Sequence, residues 1–175
     1  MSRICNILGL AVLGVALLVG AAAADDMTLN GELTESIDIS LGVASIPHWA
    51  IVVGDNPDAV TATATIAANL GSNRKATLNA KETASDSGSN IADGKMRSPT
   101  ASHVMTAALA IDTTSTGGGE SDIEALTASD QPLAVITTAT SHEVAFDYHQ
   151  TVGYGDPAAN DYGIVVTFTG ALADQ

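Results

Sequence analysis

Val60-Thr61-Ala62-Thr63-Ala64-Thr65-Ile66 alternates without a break between apolar residues and threonine. A period of two puts every second side chain on the same face of an extended chain, so this stretch reads as a strand with Thr facing out. The same period recurs on both sides of it. Ile37, Ile39 and Leu41 share one parity, and so do Ala76, Leu78 and Ala80 after the Gly71-Ser72-Asn73 turn. Trp49, Ile51 and Val53 form a further strand, closed by the turn signal Asp55-Asn56-Pro57-Asp58. Residues 83–102 are rich in Ser, Gly and Asp and read as a long loop. Strand signals resume at Val104 to Ile111, with a short element at Ile123 to Leu126 and a strand through Leu133, Val135 and Thr137. Val144, Phe146, Tyr148, Gln150 and Val152 make a long alternating strand. Tyr162, Ile164, Val166 and Phe168 make the last one, and Gly170 continues its face. Nine or ten short strands without an amphipathic helix predict an all-β fold, a β-sandwich of Greek-key or jelly-roll type over residues 36–175.

The chain starts differently. Arg3 precedes Ile4 to Gly20, about 17 apolar or small residues broken only by Asn6. Ala21 to Ala24 follow, then Asp25-Asp26. A positive start, an apolar centre and small residues at a cleavage point are the marks of a secretory signal, here residues 1–24, with the cut after Ala24. The expectation is a secreted, cell-surface protein that meets the membrane only through this segment during export. The one cysteine, Cys5, lies inside the signal. The mature chain then has no disulfide, no thiolate metal site and no cysteine nucleophile. With three Tyr, two Phe and one Trp in the whole chain, its core must be filled by Val, Ile, Leu and Ala, and is expected to be thin.

The formal net charge is −14. Removing Arg3 leaves Arg74, Lys75, Lys81, Lys95 and Arg97 against twenty acidic residues, about −15. Such a charge argues against nucleic acid or an anionic membrane as partner. It also confines the trypsin sites of the mature chain to residues 74–97.

Chemistry-bearing motifs are sparse. His48, His103, His142 and His149 form no HxH or HExxH spacing. His142 and His149 have opposite parity on one strand and so point to opposite faces. Asp55, Asp58, Asp156 and Asp161 flank turns and are the weak calcium candidates, with Asn160 beside them. None sits in a D-x-D-x-D-G loop, and turns select Asp and Asn for their own hydrogen bonds. Glu120, Asp122 and Glu124 alternate as on a solvated face. There is no G-x-S-x-G elbow, and an aromatic-poor chain offers little to line a glycan cleft. The expectation is a non-enzyme without cofactor.

The most informative segment is residues 25–35. Met27, Leu29, Gly31 and Leu33 occupy one face of a short extended stretch, and Glu35-Ser36 interrupt the apolar series. It is either the first strand of its own sheet or a donor strand that completes the sheet of the next subunit, beside the C-terminal strand. Either way, burial of Met27, Leu29 and Leu33 contributes on the order of 1.5–3 kcal/mol each before ordering costs. The two arrangements bury the same residues, and the sequence does not separate them. The tentative acceptor groove is the face of Tyr162, Ile164, Val166 and Phe168.

The stretches Trp49 to Val53 with Val60 to Ile66, Phe146-Asp147-Tyr148-His149-Gln150-Thr151-Val152, and Asp161 through Thr169 carry a resemblance to small secreted archaeal β-sandwich proteins. The layout of signal, short N-terminal strand and cysteine-free sandwich is more remotely similar to TasA-type biofilm fibre subunits and archaeal bundling pilins. That resemblance implies a homopolymer, a filament or pilus joined by donor-strand complementation, and carries over only onto the N-terminal strand. The alternative expectation is a monomeric secreted binding module for calcium or glycan.

Overall fold

Strict alternation of Ala and Ile with Thr makes Ala62–Asn69 (β3) a strand with one buried face. Ala62, Ala64, Ile66 and Ala68 are buried, while Thr63 and Thr65 on the other face are partly exposed. The computed structural model describes residues 33–43, 45–46, 49–57, 61–84, 93–114 and 119–175. Residues 1–24, expected to be a secretory signal, and Met27, Leu29, Gly31, His48 and Asp58 lie outside the described residues. Thr34 to Gln175 forms one compact unit. Its other strands are Ser36–Leu41 (β1), Gly54–Pro57 (β2), Arg74–Ala84 (β4), Arg97–Ser98 (β5), His103–Val104 (β6), Ala110–Thr113 (β7), Gln131–Ile136 (β8), Thr140–Val152 (β9) and Val165–Asp174 (β10). Every pairing is antiparallel, and the described residues contain no helix.

Two sheets face each other across the core. In the first, β1 pairs with β3 and β3 with β9. At His149 and at Phe146, β7 takes one edge of β9, so β2 and β3 follow one another along its opposite edge. In the second, β4 lies between β10 and β8. The sequence-predicted parity holds on the long strands: Val144, Phe146 and Gln150 of β9 are buried, as are Ala76, Leu78 and Ala80 of β4. Alanines at Ala62, Ala64, Ala68, Ala76, Ala80 and Ala134 make up much of this core. Small side chains therefore fill much of the space between the two layers, in keeping with the aromatic-poor composition. Gly170 of β10 is one point of contact: a Cβ there would lie 2.5 Å from Ile37 Cδ1 and 3.1 Å from Ile39 Cδ1. At the other side, His142 of β9 bonds Glu120 at 2.7 Å, and Glu120 bridges to Ala134 of β8, which ties the sheets together.

Four local expectations are corrected. Trp49 to Val53 is not a strand; the strand is β2, on residues expected to turn. The cause is Asn56. Its buried amide bonds Val52 N and O at 2.7 Å, Gly54 O at 3.0 Å and Gln150 O at 3.0 Å, so the preceding chain curls around a side chain. Gly54 permits the bend with φ 116°. The Val104 to Ile111 strand is broken into β6 and β7, because Leu109 N donates to Gly94 O and Thr106 is held by Asp156. The 83–102 loop contains β5. Glu120 is not on a solvated face: its side chain is 6 % exposed against His142.

Candidate functional site: an open cleft between the sheets

β1 is the outer strand of one sheet and β10 of the other, and neither pairs with its opposite number. Near Gly170 the two edges are zipped by Ile37 and Ile39. Towards Phe168 and Val166 the side chains of β10 grow larger, the edges part, and a cleft of about 620 Å³ opens. One wall is Tyr162, Ile164, Val166 and Phe168, all four of the residues expected to form an acceptor groove. Val166 and Phe168 stand on β10, whereas Tyr162 and Ile164 lie on the approach to it, since Gly163 bridges to Arg97 instead of to β4. The opposite wall is Leu41, Val43, Ile46, Trp49 and Ile51, and Tyr148 of β9 is also in the lining.

Three aromatic residues, Phe146, Tyr148 and Phe168, pack together at this site. Phe146 meets Phe168 at 5.3 Å between ring centroids and Tyr148 edge-on at 5.5 Å. Trp49 Nε1 donates to Pro57 O at 3.3 Å, and Tyr162 OH donates to Pro157 O at 2.9 Å. Burial raises the Tyr162 phenol pKa, and the charges of Asp156 and Asp161 push it in the same direction.

The Tyr162 wall is held by carboxylates. Asp156 accepts from Gly153 N at 2.8 Å, His103 Nε2 at 3.0 Å, Thr106 Oγ1 at 3.0 Å and Thr106 N at 3.1 Å. Burial alone would raise its pKa; these hydrogen bonds outweigh that and lower it to about 2. Asp161 accepts from Ser98 Oγ and from Thr100 N at 2.8 Å, which also lowers its pKa. Arg97 exchanges backbone bonds with Gly163 at 3.0 and 2.9 Å, and its guanidinium bonds Asp93.

The described calcium candidates do not share one site. Asp156 and Asp161 face protein donors, and Asp55 lies 3.8 Å from His149 Nδ1 on β9. His149 Nε2 lies 3.3 Å from Asp112. Among the described residues no group of three or more His, Cys, Asp or Glu has metal-holding geometry. Leu33, the described member of the donor series, is 85 % exposed.

The sequence reading missed the wall from Leu41 to Ile51. Its signal was present: Val43, Ile46, Trp49 and Ile51 form an apolar run with no partner series of its own, and it contains the chain's one tryptophan. No family model, curated protein or solved structure matches this chain.

Proposed function

We propose that this chain is an exported, non-enzymatic structural protein, the subunit of a cell-surface filament or pilus, in which residues 25–33 of one copy fill the cleft of another. The supporting observation is the cleft itself: a sandwich open between its two outer strands, with an apolar, aromatic wall at the place where a donor strand is expected. Tyr162 to Phe168 is a row of four alternate positions spanning about 20 Å when extended. Met27 to Leu33 is a row of the same length with four alternate small or apolar positions. An added strand would hydrogen-bond along the edge of β10 that has no strand partner among the described residues and place its side chains in the cleft, the general mode of β-strand addition. Of the carboxylates that an alternative calcium module would use, Asp156 and Asp161 are engaged in hydrogen bonds that hold the wall, which favours the filament reading. Removal of residues 1–24 would expose Asp25 and free the strand for assembly.

Electron microscopy of the mature protein, with and without residues 25–33, tests this. The full mature chain should form filaments and the shortened chain should stay monomeric. Filaments that persist after the deletion, or a full mature chain that stays monomeric, would refute it.

A further inference from the structure

We infer that the incoming strand joins the edge of β10 that no described strand occupies, antiparallel to it and entering from the Val165 end, so that subunits connect head to tail with one polarity. This rests on the filament reading above and gives it a direction.

The starting point is where the chain enters the sandwich. Thr34 O accepts from Asn69 Nδ2 at 3.0 Å, and the Glu35 carboxylate accepts from Gly71 N at 3.0 Å and Arg74 Nε at 3.1 Å. Arg74 Nη1 also bonds Asp174 at 2.6 Å, and Gln175 N donates to Asn73 O at 2.9 Å. Thr34 is thereby fixed at the pole made by the β3–β4 turn and the end of β10. The cleft opens at the other pole, near Leu41 and Val165. Between them lies the zipped half, where Ile37 and Ile39 sit on Gly170.

A strand bound for its own cleft must first pass this closed half. Ser36 to Leu41 is five extended steps, roughly 17 Å, which uses up about five of the nine residues 25–33. Leu33, Gly31 and Leu29 would then stay outside, and Met27 would be the one anchor in reach. A neighbour whose Thr34 pole abuts the cleft mouth loses none of its anchors. The exposed Leu33 stands next to that entry point.

Direction separates the two cases. β10 runs from the cleft pole to the Thr34 pole. A strand folded back into its own cleft would run the same way, parallel to β10. A strand donated from the cleft side runs the opposite way and keeps the sheet antiparallel, as every strand pair among the described residues is. On β10 itself the antiparallel register sets Leu29 by Val166 and Met27 by Phe168, and Leu33 and Gly31 then fall by Tyr162 and Ile164 on the approach, beyond the irregularity between Val165 and Val166. The thioether then meets an aromatic ring. On the outward face the same register sets Thr28 opposite Thr167, whereas the parallel one sets Glu32 there.

The mature chain has no cysteine of its own, so paired substitutions report cleanly. Opposed residues in antiparallel strands have Cα atoms about 4.5–5.5 Å apart, within disulfide reach. We expect mature T28C/T167C, oxidised and run without reductant, to give a ladder of linked oligomers, and E32C/T167C to stay at the single-chain position. A ladder from E32C/T167C alone, or filaments in which neither pair links, overturns the antiparallel geometry while leaving the filament standing. A link within one chain in E32C/T167C, without oligomers, overturns both.

Discussion

Replacing Gly170 with alanine tests the packing that closes one half of the sandwich and leaves the other half open. The added methyl would stand 2.5 Å from Ile37 Cδ1, 3.0 Å from Ile37 Cγ1 and 3.1 Å from Ile39 Cδ1. Ordinary carbon contacts lie near 3.5–4.0 Å, so Ile37 must move by about 1 Å or the sheets must part. Overpacking of this kind costs about 1–3 kcal/mol. Two of these three atoms, the Cδ1 methyls, are ends of side chains on an outer strand, which favours the middle of that range, about 2 kcal/mol. With a urea m-value of roughly 1–3 kcal/mol/M, the unfolding midpoint should fall by about 1 M. Ile37→Val removes the Cδ1 methyl that causes the clash. Alone it should cost about 0.5–1.5 kcal/mol. In the Gly170→Ala background it should cost nothing or restore stability, a coupling of about 1 kcal/mol or more in a double-mutant cycle. If Gly170→Ala is neutral and the two changes are additive, β1 and β10 are not zipped at this point, and the reasoning that confines the cleft to one half is wrong.

Asn56→Ala should destabilise by about 2–4 kcal/mol in the same unfolding assay, because it leaves Gln150 O and both polar groups of Val52 without the partners seen here; a loss under 1 kcal/mol would show that the 49–57 bend does not depend on that amide. Asp156 has a folded pKa lowered to about 2 from an ordinary 3.8, so its stabilisation is present above pH 4 and is lost as pH falls from about 4 to 2. Asp156→Asn should flatten that part of an acid-unfolding curve, and an unchanged curve would count against the clamp. Trypsin should leave the folded chain uncut at Arg74, Lys75 and Lys81, since β4 is paired on both edges, and at Arg97, which is 5 % exposed. Rapid native cleavage on β4, read by mass spectrometry, would contradict its central place.

The long strands were legible because one face of each is buried and the period of two is uninterrupted: β3 by Ala62 to Ala68, β9 by Val144 to Gln150. The alanine-rich core followed from composition, and Ala76, Ala80 and Ala134 are part of it. The 49–57 region was misread because Asn56 looks like a turn residue and is instead a plug whose amide replaces backbone pairing. Nothing in local periodicity encodes that its fourth bond goes to Gln150, far along the chain. Glu120 was misread in the same way, since its partner His142 lies on the other side of a turn and a strand. One wall of the cleft could be read from the alternation at Tyr162 to Phe168. The other could not, because Val43 to Ile51 follows no single period and is placed by its packing. That the cleft occupies only one pole depends on Gly170 lying under Ile37 and Ile39, a contact between distant segments.

The central claim, that a strand from one copy completes the sandwich of another, is tested most directly by competition. A synthetic peptide of residues 25–33, added to the mature protein, should occupy the clefts and shorten polymers in proportion to its concentration, as read by sedimentation velocity. The same peptide with Leu29→Asp should have no effect, because a carboxylate in the apolar cleft would have no partner. Polymers of unchanged size at saturating wild-type peptide, or equal inhibition by both peptides, would contradict the account.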